Sequence, residues 1–330
     1  MNNLVSILVP IYNVENFIEK CSISLFEQTY KNIEYIFVND CSPDHSIKIL
    51  EKVAQNYPNR IANIRIINHD INKGLAGARN TAILSATGDY ILHVDSDDFI
   101  EKETVEKLIN KAQDDHADIV VFDYYLEWEK VNKFVDHKFD ADKIKYLSLV
   151  LSAQTENFVV NKLIKKSLYI DHGILHTQGL NFGEDYLVVP KLLFFAKKIV
   201  KVNEAFYHYV RFNNNSYTSS ISKKNIEDLI YVYHELVDFL TKVDFDQRPL
   251  YQGCLTKKFE LIRDSMSVEK FKLIRENFVI EDQDILLNKM SGMKFIMLKL
   301  LNKEIYSQLL ILTKFYKIII NVSQKIKKRY

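Results

Sequence analysis

Three carboxylates within four residues follow a short apolar segment in the first third of the chain. Asp95, Asp97 and Asp98 come directly after residues 90–94, whose composition is typical of a buried strand. Carboxylates crowded at the end of a strand repel one another and lose hydration, so a cation among them would stabilise them. Their hard oxygen atoms suit Mg²⁺ or Mn²⁺, whose open coordination positions commonly take the phosphates of a nucleotide. A second interpretation stays open, in which the acids form a turn that caps a predicted helix over residues 101–114.

The first 125 residues alternate strand and helix signals with short connections. Short apolar runs predict strands, and apolar residues at helical spacing predict helices. The predicted strands cover residues 5–9, 33–38, 64–67, 90–94 and 119–124, and the predicted helices cover residues 14–28, 46–55, 75–86 and 101–114. Such an alternation builds an open parallel sheet covered on both faces, and ligands bind beyond the carboxyl ends of its strands.

Polar residues follow the first two strands as well, at the edge where a ligand would bind. Tyr12 could stack on a base, and Asp40 could accept a hydrogen bond from a pyrimidine imide N–H or from ribose. Lys73 and Arg79 lie in a segment rich in small residues, 72–80, that permits close approach to phosphate or base. Taken singly, Tyr12 also fits as a surface aromatic, and Asp40 as part of a turn that caps a helix.

Composition excludes several classes of protein. The chain has 330 residues, 47% of them hydrophobic, which is enough for a sizeable core, and its net charge of +1 provides no overall basic field for nucleic acid. Three cysteines without metal-ligand spacing favour a reducing compartment, so we expect a cytoplasmic protein. Neither a signal-peptide pattern nor an apolar stretch of about 18 to 20 residues is found. The glycine-rich fingerprints of nicotinamide-binding and P-loop proteins are absent too.

Six short segments, in this order along the chain, resemble glycosyltransferase family 2. They are residues 6–13, 28–30, 38–40, 72–74, 78–80 and 95–98. Members of this family are inverting nucleotide-sugar transferases, and the resemblance covers roughly residues 4–220. It implies an α/β chain with the GT-A fold, which is an open, mostly parallel sheet flanked by helices, here followed by a helical C-terminal region.

The resemblance also implies a donor site. Residues that match Pro10, Tyr12 and Asp40 line the uracil and ribose site in the family, and Asp95 and Asp97 match its DXD pair, with Asp97 as the direct ligand of Mn²⁺ or Mg²⁺. Lys73 and Arg79 are then assigned to the nucleotide.

Two departures from the family pattern lie beside Asp40. Asn39 stands where the family commonly has an aspartate, and Cys41 stands where it commonly has a flexible glycine. The geometry of this turn, and with it the base pocket, is therefore an open question.

A second acidic motif supplies the base that an inverting transfer requires. Glu184 and Asp185 follow Gly183 and precede an apolar helix, which matches the Glu-Asp motif of the family. The resemblance assigns Asp185 as the general base, while Glu184 orients it or contacts the acceptor. Arg211 is assigned to the diphosphate, and His208 to the metal. Without the family, the acids would be read as a helix start, Arg211 as a solvated side chain and His208 as a packed one.

The chain is predicted to divide after residue 220. Residues 1–220 form the catalytic domain, with a nucleotide-binding half in 1–125 and an acceptor and base half in 126–220. Residues 221–330 form a helical region with predicted helices over 226–243 and 256–277, a break at Pro249 and an acidic link at 281–284.

The last 42 residues carry most of the positive charge of the chain. Residues 289–330 contain ten Lys or Arg and a single acid, Glu304, hence about +9, interleaved with apolar residues. Two interpretations stay open for this basic amphipathic helix. It binds an anionic membrane surface as a peripheral protein would, or it packs on the catalytic domain or on the second subunit of a homodimer.

Two functions of different class follow. The first is an inverting hexosyl- or N-acetylhexosaminyltransferase. It would move a sugar from a UDP-sugar to a hydroxyl of a glycan or lipid-linked oligosaccharide in cell-surface polysaccharide synthesis. The alternative is a catalytically inactive nucleotide-sugar-binding subunit of a glycosyltransferase complex. A metal-dependent nucleotidyltransferase is a third hypothesis, which the absence of a Gly-rich first loop disfavours.

Overall fold

The structure is a computed structural model that describes residues 3–180, 182–213, 222–265, 267–278 and 292–327. The chain separates into two compact units. The first consists of Met1–Leu147 and Thr155–Ser216, and the second of Ser148–Gln154 and Tyr217–Tyr330. The predicted functional division after residue 220 stays a prediction.

Nine strands of the described residues form one sheet. They are β1 (Val5–Ile11), β2 (Ile33–Asn39), β3 (Ile64–Asn68), β4 (Tyr90–His93), β5 (Phe99–Ile100), β6 (Ile119–Trp128), β7 (Val131–Val135), β8 (Lys162–Lys165) and β9 (Ile199–Val210). Their order is β3-β2-β1-β4-β8-β6-β9-β5, and β7 pairs with β6. Strands β3, β2, β1 and β4 are mutually parallel, whereas β8 is antiparallel to both of its neighbours. The sheet is therefore mixed, with a parallel first half.

Helices connect these strands. They are α1 (Ile18–Phe26), α2 (Ser46–Ala54), α3 (Pro58–Ile61), α4 (Gly74–Ser85), α5 (Thr104–Asp115), α6 (Lys143–Leu151), α7 (Lys166–Asp171) and α8 (Glu184–Phe195). Every residue of β1 and β4 is buried. Such continuous apolar strands are expected where both faces of a sheet are covered. The predicted α/β class with a helix-flanked sheet is confirmed, and the five strands predicted from the sequence all exist.

The register of the sheet places three strand ends at one edge. Ile11 pairs with Asn39 at the end of β1 and β2, and Leu8 pairs with His93 at the end of β4. Residues that follow β1, β2 and β4 therefore leave the sheet on the same side, as the parallel arrangement predicts.

The second unit is helical where it is described. Its helices after residue 221 are α9 (Lys223–Lys242), α10 (Arg248–Ser265), α11 (Val268–Asn277), α12 (Gly292–Asn302) and α13 (Tyr306–Lys327). Among the described residues, we find no helix with both the length and the apolar composition that a membrane span requires.

Two helix predictions for this region are wrong. The single helix predicted over 256–277 is interrupted before α11, because Ser267 has an extended backbone. The single tail helix is two helices, because Glu304 adopts a left-handed conformation (φ 59°) between α12 and α13. Pro249 lies at the second position of α10, where the missing N–H leaves no helical bond unmade. The acidic link at 281–284 lies outside the described residues.

Candidate active site

The ends of β1 and β2 form one side of the site. Pro10 is buried within β1, whereas Tyr12 follows the strand with 46% of its surface exposed. Asn13 has a left-handed backbone (φ 57°), and its N–H donates to Ser42 Oγ at 2.8 Å. The chain after β1 is therefore held to the chain after β2, and the Tyr12 ring is left accessible.

Asp40 is buried and ties the end of β2 to the start of α4. Its Oδ1 accepts the backbone N–H of Lys73 at 2.7 Å and lies 2.7 Å from His69 Nδ1. Its carbonyl accepts a hydrogen bond from Asn72 Nδ2 at 3.0 Å. The Lys73 side chain is exposed. The contact of His69 with Asp40 was missed from the sequence, because it joins residues 29 positions apart without any motif.

Cys41 keeps a backbone conformation that glycine favours. Its φ is 58°, in the left-handed region, and its Sγ lies 3.0 Å from the carbonyl oxygen of His69, to which the thiol donates. The replacement of glycine by cysteine therefore leaves a left-handed residue at this turn.

The acidic motif after β4 divides into residues with different partners. Asp98 is buried, and it accepts hydrogen bonds from the Tyr207 hydroxyl at 2.6 Å and from the Val210 N–H at 2.7 Å. It therefore fastens the motif to β9. Asp97 Oδ2 accepts a hydrogen bond from Asn213 Nδ2 at 2.8 Å.

The electrostatics of this motif suit a hard divalent cation. Burial, and then the neighbouring Asp95 charge, raise the pKa of Asp97 to about 6. A cation beside the two carboxylates would relieve both effects, and their oxygen atoms are the donors that Mg²⁺ and Mn²⁺ prefer. Within the described part of the chain, no cluster of three or more His, Cys, Asp or Glu residues is arranged to hold a metal ion. Any further ligands would therefore have to come from other donors, such as nucleotide phosphates or water.

Arg79 joins the two acidic motifs. The side chain is 2% exposed; its Nη2 donates to Asp95 Oδ1 at 2.9 Å, and its Nη1 donates to Asp185 Oδ1 at 2.8 Å and to Glu184 Oε1 at 3.2 Å. Burial alone would lower the pKa of Arg79, but the three carboxylates hold it above its usual value. The guanidinium thus links the end of β4 to the start of α8.

Glu184 and Asp185 begin α8 directly after Gly183, which has a left-handed backbone (φ 84°). Asp185 Oδ2 accepts the Val159 N–H at 3.0 Å. Burial raises the pKa of Asp185, while the Arg79 guanidinium acts in the opposite direction. Burial, and then the Asp185 charge, raise the pKa of Glu184 to about 7. Both acids are therefore easier to protonate than free carboxylic acids are.

Lys162 is a further titratable group of this region. It is fully buried in β8, and its Nζ donates to Phe158 O at 2.6 Å and to Asn161 Oδ1 at 2.7 Å. Burial lowers the pKa of Lys162 to about 7, although the Asp185 charge opposes this shift.

His208 and Arg211 have partners of their own. The His208 ring stacks on Phe99, with 4.2 Å between centroids, and its Nδ1 and Nε2 lie 2.6 Å from Glu127 Oε1 and 2.8 Å from Glu101 Oε1. Arg211 is exposed, and its backbone N–H donates to Glu127 O at 2.8 Å. The metal role of His208 and the diphosphate role of Arg211 stay predictions. His208 would have to release one carboxylate to bind a metal.

Comparison with known proteins identifies relatives of the chain. The model of glycosyl transferase family 2 matches residues 6–176. The chain is 34% identical over 226 residues to the glycosyltransferase EpsJ of Bacillus subtilis, a match that covers 65% of this chain and 63% of EpsJ. It is 34% identical over 243 residues to the putative glycosyltransferase EpsH of the same organism, covering 72% of this chain and 69% of EpsH. This chain thus spans just under two thirds of EpsJ and slightly more of EpsH.

A solved structure shares the fold. The chain superposes on a crystal structure of Staphylococcus aureus TarS 1-349 in complex with UDP-GlcNAc with a TM-score of 0.75, covering 95% of this chain and 91% of that one. The two chains are 21% identical, so the likeness concerns the fold alone. With the family match, it confirms the predicted GT-A fold.

Proposed function

The chain belongs to glycosyltransferase family 2, and from this we propose that it moves a sugar from a UDP-sugar to a hydroxyl of a glycan or lipid-linked oligosaccharide. The observation that carries the proposal is the Arg79 bridge, which brings Asp95 of the DXD motif within one side chain of Asp185. A donor held at the first motif would then lie close to a base at the second. The product would be a bacterial cell-surface polysaccharide. One relative, TarS, is named as a poly(ribitol-phosphate) β-N-acetylglucosaminyltransferase.

The donor would lie along the edge formed by β1, β2 and β4. The exposed Tyr12 ring offers a stacking surface for uracil, and the buried Pro10 of β1 would line the same pocket. Asp40 Oδ1 is taken by Lys73 N–H and His69, so Oδ2 would accept the hydrogen bond from the base or ribose. The exposed Lys73 side chain and Arg211 would contact the diphosphate.

Asp97 and Asp95 would hold Mn²⁺ or Mg²⁺. When bound, this cation supplies positive charge that offsets the charge developing on the leaving diphosphate. Asp98 is not assigned to the metal, because both of its oxygen atoms accept hydrogen bonds from β9.

Asp185 would serve as the general base. The acceptor oxygen attacks the anomeric carbon while the bond to the nucleotide diphosphate breaks, the configuration inverts, and the hydroxyl proton passes to Asp185. Its raised pKa brings this carboxylate closer to working pH, which favours proton transfer. The Arg79 guanidinium opposes the rise in the pKa of Asp185, and with the Val159 N–H it would fix the orientation of this carboxylate. Glu184 would contact the acceptor or orient the base. The type of sugar, the cytoplasmic location and the homodimer stay predictions.

Calorimetric titration of UDP-Glc, UDP-Gal, UDP-GlcNAc and UDP-GalNAc, each with and without Mn²⁺, tests the proposal. We expect one donor to bind only with the metal, and Asp97→Asn to abolish that binding, while Glu129→Gln in the exposed β6–β7 turn leaves it unchanged. Failure of all four donors to bind would overturn the donor assignment.

A kinetic test addresses the base and the inactive alternative. Asp185→Asn should keep the affinity for the donor. Its turnover, measured as UDP released in the presence of an acceptor, should fall by about 10² to 10⁴-fold, because the substitution removes general-base catalysis. Near-normal turnover in this variant would move the base elsewhere. A wild-type protein that binds the donor with metal and never releases UDP, with any glycan acceptor, would favour the inactive-subunit alternative.

A further inference from the structure

Helix α13 has two opposite faces, an inner face that is buried and an outer face that is exposed. Its inner face contains Leu309 and Thr313, which are fully buried, and Tyr316, whose ring lies 5.9 Å from that of Phe259 in α10. The spacing of four and then three residues puts these side chains on one side of the helix. The inner face of α13 therefore packs on the other helices of its unit.

The outer face of α13 consists of Ile311, Phe315, Ile318 and Ile319. Their exposed fractions are 69%, 60%, 60% and 47%. They follow the same spacing, shifted by two residues, which corresponds to roughly half a turn around the helix. Apolar side chains that stabilise a fold are buried in its core. A row of large exposed apolar side chains is instead typical of a surface that binds another molecule or a membrane.

We propose that this outer face binds an anionic lipid surface, with α13 lying in the plane of the membrane interface. Charge decides between a membrane and a second copy of the chain. Lys314 and Lys317 are exposed beside the outer face, and residues 305–330 contain six Lys or Arg and no Asp or Glu. Two copies that met through this face would bring these positive charges together, which is unfavourable. An anionic leaflet attracts them instead, and it also accepts the apolar side chains.

Binding of the outer face to lipid is separate from the transfer reaction and does not depend on it. Vesicle binding is measured without donor, metal or acceptor, so a failure of donor binding and a failure of membrane binding are separate results. An enzyme that acts on lipid-linked acceptors would benefit from such a surface, but the surface is identified from exposure and charge alone.

Co-sedimentation of the full chain with lipid vesicles tests the proposal. One set of vesicles contains phosphatidylcholine alone, and the other contains about one third phosphatidylglycerol. We expect the anionic vesicles to bind at least about tenfold more tightly, and the binding to weaken as salt is raised, because screening reduces the attraction.

Matched substitutions locate the surface. Ile318→Glu should reduce binding to anionic vesicles by about tenfold or more, because it places a negative charge on the outer face. Leu84→Glu is the control, since Leu84 in α4 is 63% exposed against 60% for Ile318, and it should leave binding unchanged. Both variants should keep the wild-type circular dichroism spectrum.

Three results would overturn the proposal. The first is equal binding of the wild type to neutral and anionic vesicles. The second is unchanged vesicle binding in Ile318→Glu. The third is a wild-type dimer, seen by light scattering, that Ile318→Glu converts to a monomer, while neither protein binds vesicles. The last of these would assign the outer face to a second copy.

Discussion

Arg79 holds together acids from two distant parts of the chain. Without the guanidinium, Asp95, Glu184 and Asp185 would be left as neighbouring carboxylates with no cation between them. Breaking a buried ion pair on one side costs about 3 to 5 kcal/mol, because the remaining charge stays desolvated and uncompensated. We therefore expect Arg79→Met to lower the free energy of unfolding by about that amount at neutral pH, measured by urea denaturation.

The same substitution at a surface ion pair is the control. Arg65 pairs with Glu34 at 3.2 Å and its side chain is 46% exposed, so Arg65→Met should cost less than about 1 kcal/mol. Equal losses in the two variants would contradict the view that Arg79 stabilises by compensating buried charge.

The buried Lys162 makes stability depend on pH. Its pKa is about 7 in the folded chain against an ordinary value of 10.5, so between these two pH values the unfolded chain binds a proton that the folded chain does not. The contribution of Lys162 to the free energy of unfolding therefore rises with pH across this window, by on the order of a few kcal/mol, and the full penalty for burying the charged form applies below pH 7.

Lys162→Met removes this contribution. The difference in unfolding free energy between wild type and variant should shift in favour of the wild type as pH rises from 7 to 10, in denaturation series at several pH values. Lys48→Met, at an exposed lysine of α2, controls for loss of a surface lysine. A difference that stays constant over the window would show that Lys162 is buried in one protonation state throughout.

Strand β4 leads into the acidic motif, and a close backbone contact lies just before the strand begins. A Cβ atom at Gly88 would lie 2.7 Å from Leu4 O and 2.9 Å from Ser6 N, both of which are backbone atoms. The Gly88 N–H also donates to Ser6 Oγ at 3.0 Å. We expect Gly88→Ala to lower the free energy of unfolding by about 3 kcal/mol, because the backbone must move to admit the methyl group.

A second glycine separates crowding from conformation. Gly173 has a left-handed backbone (φ 61°) with no atom within 4 Å of the added Cβ position, so Gly173→Ala should cost only about 1 kcal/mol. If both variants lost the same stability in thermal unfolding, crowding at β4 would not explain the effect.

The sequence predicts the individual helices and strands better than it predicts how the strands pair. Strands β1, β2, β4 and β6 are apolar runs, and parallel order brings the ends of the first three to one edge, so the positions of Tyr12, Asp40 and Asp95 could be predicted. The two-residue β5 and the antiparallel insertion of β8 between β4 and β6 have no local signal. They depend on pairing with strands that are distant in sequence.

The contacts of Arg79 illustrate the same limit. Its place among small residues and the family resemblance assign Arg79 to the nucleotide, yet its bonds to Glu184 and Asp185 span 105 and 106 positions. The bridge joins α4 to the start of α8, and no spacing along the chain encodes it.

Over the whole molecule, charge is distributed unevenly. The total is +1, while residues 289–330 alone carry about +9, so the remaining 288 residues have a net negative charge of about −8. Nucleotide and lipid surface are both anionic ligands, and the chain meets them differently. For the proposed donor it provides partly buried carboxylates that would hold a cation, whereas for the proposed lipid surface it provides an exposed basic helix.

Because the chain has a single tryptophan, its fluorescence can report the unfolding of one unit, and a bound ligand should change that unfolding. Trp128 ends β6 in the first compact unit, so its fluorescence follows the unit that contains the candidate active site. A ligand that binds only the folded state at about 100 times its Kd raises the free energy of unfolding by about 2.7 kcal/mol. We expect UDP with Mn²⁺ to produce such an increase in fluorescence-detected urea denaturation, and either one alone to produce much less.

The control variants locate the metal. Asp97→Asn should lose most of the increase in the free energy of unfolding, and Glu129→Gln should retain it. A rise of the same size with Mn²⁺ alone, or in Asp97→Asn, would place the metal away from the DXD motif.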